Sequence, residues 1–124
     1  MRVLIVDDDF GYRSLLRRVL EAQRDVELVF EASEGEEGLR LARQFKPDVV
    51  LMDINMPITG SDGLDAARRI KESSGAAVLV RSAQDSEGFR ERAAECGADA
   101  YLPKAASIFD ILSAIRELQP TKAA

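Results

Sequence analysis

The sequence predicts an α/β protein: a doubly wound, five-stranded parallel sheet with five helices on both faces. Three observations point there. Short apolar runs rich in β-branched residues alternate with longer amphipathic stretches along the 124 residues, the alternation of βαβ units with right-handed crossovers. Two of those runs, Val3–Val6 and Val49–Met52, are apolar at every position, as in strands buried on both faces. Both stop abruptly on aspartate, Asp7 and Asp53.

The elements follow in order. Val3–Val6 is the first strand. Leu15, Leu16, Val19 and Leu20 then recur at helical spacing, with Asp9 as the cap residue before that helix. Val26–Phe30 alternates as a second strand. Ser33–Phe45 reads as a helix, because Ser33 and Glu36 have capping-box spacing and Leu39, Ala42 and Phe45 form a stripe that stops before Pro47. After the third strand, Pro57, Gly60 and Gly63 mark a loop. A helix opening near Ser61 or Asp62 carries Leu64, Ala67 and Ile70. Ala77–Val80 is the fourth strand. Asp85–Cys96 is a polar helix with Phe89, Ala93 and Cys96 inward, and Gly97 suits the position just past its end. Ala100–Leu102 is a short fifth strand. Ile108, Ile111, Leu112, Ile115 and Leu118 form the clearest helical stripe, and residues 119–124 read as a tail or the start of a linker.

Composition narrows the function classes. Apolar residues make up 46% and charged residues 31%, which describes a globular chain of one domain with a core of its own. A net charge of −5 argues against direct contact with nucleic acid, which needs a basic patch. Cys96 is the single cysteine and histidine is absent, so a metal here must take oxygen ligands. No apolar run approaches the length of a membrane span or signal-peptide core, which leads us to expect a cytoplasmic setting away from membranes.

Ligands of doubly wound sheets bind beyond the carboxyl ends of the strands. Strand one ends in Asp7-Asp8-Asp9, strand three in Asp53, strand four in Arg81-Ser82 and strand five in Pro103-Lys104. If strands one and three are neighbours, three carboxylates converge with a hydroxyl and an ammonium at the rim. Two like charges about 4 Å apart repel by roughly 4 kcal/mol at an effective dielectric near 20, so the cluster needs a proton or a cation. An open site of few oxygens suits Mg²⁺, or Mn²⁺ in its place, with a position left for a phosphate oxygen. Lys104 can pair with such a phosphate, Ser82 can donate to it, and a carboxylate can itself be the nucleophile. Taken singly these residues say little: a lone strand-end Asp is more often a turn or cap, and a lone Lys is a surface cation. Their joint placement carries the signal.

The segments VLIVDDD, VVLMDINMP, DGLDAARRIK, VLVRSA and GADAYLPK together resemble the receiver domain of two-component response regulators, the CheY-like family, from Arg2 to Leu118. The resemblance implies strand order 2-1-3-4-5 and a receiver domain over residues 1–118. It implies Asp53 as phosphoacceptor, Asp8 as a direct metal ligand, Asp7 as a ligand directly or through water, and the Asn55 carbonyl as a further ligand. Lys104 would contact the phosphoryl group, Ser82 would be the switch hydroxyl and Tyr101 the switch aromatic. The phosphodonor would be a sensor histidine kinase, a phosphotransfer protein or a small phosphodonor. The domain would signal rather than act as an enzyme beyond its own phosphorylation and dephosphorylation. Phe109, off the main stripe of its helix, either packs against strand five or forms part of a partner or homodimer surface used on phosphorylation.

Four departures qualify the resemblance. Two extra residues separate Pro57 from Asp62-Gly63. Ala105 follows Lys104 where proline is frequent, so a trans peptide is expected, and Lys-Ala resembles the NarL/LuxR-type branch that carries a C-terminal DNA-binding effector domain. Arg81 replaces an apolar residue and either leans over the acidic pocket or snorkels outward. The switch residue is Ser rather than Thr, and Gln84 and Asn55 flank the expected phosphate. Two other readings stay open on the sequence. One is a receiver-like module that signals without phosphate, kept open by the long loop. The other is a phosphatase of haloacid-dehalogenase type using Asp7 and Asp9, in which Gly11 replaces the expected hydroxyl.

Overall fold

The structure, a computed structural model, describes residues 1–54, 61–83 and 87–119. Strands and helices alternate strictly: β1 (Arg2–Val6), α1 (Phe10–Glu21), β2 (Leu28–Ala32), α2 (Gly35–Phe45), β3 (Val49–Ile54), α3 (Ser61–Ser74), β4 (Ala77–Ser82), α4 (Glu87–Glu95), β5 (Ala100–Pro103) and α5 (Ile108–Leu118). The five strands form one sheet in the order β2-β1-β3-β4-β5, every pairing parallel. This is the expected doubly wound sheet. The winding reverses between β1 and β3, so the carboxyl ends of those two strands open onto the same crevice.

The two-residue period of a strand divides the core into two layers. Val3, Ile5, Leu51 and Leu79 pack with Leu16 and Leu20 of α1 and Ile111 and Ile115 of α5. Leu4, Val6, Met52 and Val80 pack on the other face with Leu39 of α2, Ile70 of α3 and Phe89 of α4. Each such large side chain contributes about 1.5–3 kcal/mol of burial. Two glycines bring helices close to the strand ends. A Cβ on Gly38 would lie 2.7 Å from Val6 Cγ2, and one on Gly63 would lie 2.7 Å from Ile54 Cδ1. Val6 precedes Asp7 and Ile54 follows Asp53, so these contacts seat α2 and α3 against the floor of the crevice.

Three expected boundaries move. The second strand starts and ends two residues later than its apolar pattern suggested. The Val26 N–H is taken by Gln23 O in the turn after α1, Glu27 N–H bonds Met1 O, and lateral pairing starts at Leu28 opposite Arg2. The Ser33–Glu36 capping box does not form: Glu34 is the cap residue of α2 without a side-chain bond, and the Ser33 N–H donates to Glu37 Oε1 at 2.8 Å. Strand β3 runs one residue past Asp53, its expected end, to Ile54. Other expectations hold. Asp9 Oδ1 accepts from Tyr12 N at the start of α1, Gly97 has φ +91, and no cis peptide occurs among the described residues, Lys104-Ala105 included. The Pro57–Gly60 stretch, Gln84 and Asp85 lie outside the described residues.

Candidate functional site

Asp7 continues β1 by one residue, its N–H donating to Ala32 O at 3.0 Å. Its Oδ1 accepts from Asp9 N at 2.8 Å, an Asx-type turn that fixes the carboxylate where the chain leaves the sheet. Arg13 of α1 donates to Asp7 O at 2.5 Å and also pairs with Glu31 of β2. Glu31 is pushed up by burial, but hydrogen bonds from Arg17 and Arg13 outweigh this and hold it below the usual carboxylate range. Arg13 ties α1 to the end of β1, and both arginines tie it to β2; these pairs were not foreseen from sequence.

Asp53 enters from the neighbouring strand. Ligand oxygens of Asp7, Asp8 and Asp53 all lie within 4.8 Å of one another, with Asp7 buried and Asp8 exposed. The Asp53 side chain is only 4% exposed, and Lys104 Nζ lies 3.1 Å from its Oδ1. That distance suits a hydrogen bond but the angle does not, so Oδ1 is a buried acceptor without an aligned donor and Lys104 acts as a point charge. Burial, reinforced by the Asp7 charge, pushes the Asp53 carboxyl up to about 6, against the pull of Lys104 and Arg81. Oxygen-only donors and a buried acceptor with spare capacity are what a small divalent cation requires. The residues present therefore fit such an ion. An open groove lined by Asp8, Glu34, Glu36 and Asp65 leads to the cluster from the α2–α3 side.

Arg81 turns inward. Its Nη1 lies 3.6 Å from Asp53 Oδ1 and 3.9 Å from Asp7 Oδ2, and its guanidinium carbon lies 4.3 Å from the centre of the Tyr12 ring. This decides between the two placements expected for it: it leans into the pocket.

Of the remaining expected residues, Ser82 and Tyr101 belong to β4 and β5. Ser82 ends β4, is fully buried, and pairs laterally with Ile54. Lys104 N donates to Ser82 O at 2.9 Å, joining the ends of β4 and β5. Tyr101 of β5 is half-buried opposite Val80, edge-on to Phe89 with ring centres 5.8 Å apart, and Arg90 lies over its ring. Asn55 lies outside the described residues. Phe109 is 80% exposed, so it does not pack on β5.

Comparison with known proteins agrees with this fold. The family model for the response regulator receiver domain matches residues 3–116. The chain is a response regulator receiver domain. It is 40% identical over 117 residues to the transcriptional regulatory protein LiaR of Bacillus subtilis, covering 94% of this chain and 54% of that protein. It is 36% identical over 118 residues to the chemotaxis protein CheY of Halobacterium salinarum, covering 94% and 95% of the two chains. Among solved structures it resembles a LuxR-family two-component response regulator from Aurantimonas sp., with TM-score 0.83, 32% identity, and 94% and 83% of the two chains covered. The response regulator domain of Thermotoga maritima CheB gives TM-score 0.82 at 30% identity, with 95% of each chain covered. The receiver spans about half the length of several curated relatives, LiaR at 54% among them. Membership in this family does not favour the phosphatase reading. Two-component signalling is thus the setting of this receiver domain. Among the described residues no helix is long and apolar enough to cross a membrane.

Proposed function

We propose that Asp53 of this receiver accepts a phosphoryl group from a phosphohistidine of a sensor kinase or phosphotransfer protein, with Mg²⁺ or Mn²⁺ at Asp7, Asp8, Asp53 and the Asn55 carbonyl. The supporting observation is the buried Asp53 carboxylate, 3.1 Å from Lys104 and sharing one cluster with Asp7 and Asp8. A carboxylate oxygen of Asp53 attacks phosphorus; the P–O bond forms as the P–N bond to the donor imidazole breaks, and the imidazole departs with the bonding pair. The cation, when bound, neutralises charge on the transferring oxygens. Lys104 already stands beside the nucleophile and needs little movement to reach a phosphoryl oxygen.

The switch then runs through β4 and β5. By the strand period Ser82 falls with Val80 on the α3–α4 face, whereas Asp53 falls with Leu51 on the other. For its hydroxyl to donate to the phosphoryl group the end of β4 must rearrange, and Tyr101, beside Val80, lies where that change is felt. A hydrogen bond to a charged group contributes about 1.5–3 kcal/mol, so two such bonds made only after phosphorylation shift a two-state equilibrium by roughly one to four decades. The readout surface on this proposal includes Phe109 and supports a phosphorylation-dependent homodimer. The receiver unit would close with α5 at Leu118 and lead, from Gln119 on, toward a DNA-binding effector domain of the LuxR type, in a cytoplasmic protein. Beryllium fluoride with Mg²⁺ tests the phosphate-dependent reading. The wild-type amide spectrum should change at Ser82 and Tyr101, and the Asp53→Asn spectrum should not. Equal responses from the two proteins would leave a phosphate-independent module as the reading.

A further inference from the structure

We propose that Arg81 is a tethered counter-ion that stands between Asp7 and Asp53 and keeps the affinity of the acidic cluster for its divalent cation low. The inference rests on the cation reading of the preceding section and adds a determinant of it.

The placement is set by the sheet. Arg81 and Asp53 are lateral partners in the parallel β3–β4 register, with Leu51 and Leu79 the pair before them on the same face. The pairing places the Arg81 and Asp53 side chains next to each other on one face of the sheet. Three contacts hold the guanidinium plane. Nη1 faces Asp53 and Asp7 at 3.6 and 3.9 Å, Nη2 donates to Lys104 O at 3.2 Å, and the Tyr12 ring lies beneath it at 4.3 Å. Its Nε is buried without a hydrogen-bond partner. A buried donor left unmet is costly, so the compensation must come from the carboxylates and the ring. Arg81 is 13% exposed and both carboxylates 4%, so water screens little of that attraction.

The consequence is electrostatic. Lys104 offsets one of the three carboxylate charges and Arg81 offsets another, leaving little net charge to draw in an ion. An arriving divalent cation must share Asp7 and Asp53 with a fixed positive group. Even at the dielectric of water, a unit charge about 6 Å from a divalent ion alters its affinity by about tenfold at low salt. An apolar residue at this position exerts no such repulsion. The arginine also holds the pair of carboxylates together when the ion is scarce, so the site is preformed but weakly loaded.

The test is Mg²⁺ titration of wild type, Arg81→Met and Arg81→Lys by calorimetry at fixed, low ionic strength. Arg81→Met should bind about tenfold more tightly, and Arg81→Lys, which keeps the charge, should stay close to wild type. Equal affinity in wild type and Arg81→Met overturns the inference while leaving the cation site standing. Absence of binding in all three overturns the cation site and the inference together. A measurement on wild type alone covers the case in which Arg81→Met does not fold. The Arg81 guanidinium protons should exchange with water faster once Mg²⁺ saturates the site, as the carboxylates turn from arginine to ion. Unchanged exchange contradicts the proposal.

Discussion

Replacing the proposed phosphoacceptor should stabilise the protein, and the structure says by how much and at which pH. Asp53 is a carboxylate buried beside Asp7, with its proton held more tightly in the folded chain than in the unfolded one. Between pH 3.8 and about 6 the native state therefore binds more protons than the unfolded state, and stability falls as pH rises through this window. The interval corresponds to about 3 kcal/mol, fully felt above pH 7 and absent below pH 3.8. Asp53→Asn keeps the shape and removes the charge. In EDTA at pH 8 the variant should be more stable than wild type by up to about 3 kcal/mol, or ~10 °C in melting temperature. The two proteins should converge toward pH 4. Denaturant unfolding at several pH values measures this directly. Adding Mg²⁺ should restore much of the wild type's deficit, because an ion bound only by the folded state adds RT ln(1 + [L]/Kd). Parallel pH curves for the two proteins, or a variant less stable at pH 8 without metal, would refute the picture of a strained carboxylate cluster.

Three further outcomes follow from the same geometry. Lys104→Met should slow phosphorylation of Asp53 by about ten- to a hundredfold, the value of a bond to a charged group, with Mg²⁺ binding retained in calorimetry. Gly38→Ala should lower stability by about 1 kcal/mol net, because overlap of the new Cβ with Val6 outweighs the gain in helix propensity; unchanged denaturation would contradict the close seating of α2. Phe109→Ala should abolish phosphorylation-dependent self-association in analytical ultracentrifugation while leaving the labelling of Asp53 intact.

The sequence carried the fold where the physics is local. Val3–Val6 and Val49–Met52 are apolar at every position because both sheet faces are covered, and few other arrangements produce that pattern. The aspartates at their ends marked the crevice, since parallel strands that are lateral neighbours end side by side. Some of what was missed depends on long-range pairing, and some on local caps that depart from the usual pattern. Glu31 hid the last half of β2, because its charge is tolerable in a strand only beside Arg13 and Arg17, and those lie a helix away in sequence. The box that caps α5 pairs Ser107 with Asp110 rather than the more usual Glu or Gln. The direction of Arg81 was undecidable from spacing alone, since leaning inward requires both the β3–β4 register and a ring in α1. Ser33 with Glu36 had the right spacing for a cap, yet Glu37 meets Ser33 because α2 begins one residue later than a cap at Ser33 requires.

The most direct test of phosphoacceptance at Asp53 is acetyl phosphate labelling in Mg²⁺, read by intact and peptide mass spectrometry. The account predicts a gain of one phosphoryl group on the peptide containing Asp53, labile to hydroxylamine and abolished in Asp53→Asn or by EDTA. A phosphoryl group found instead on Ser82, or an equal gain in Asp53→Asn, would contradict it.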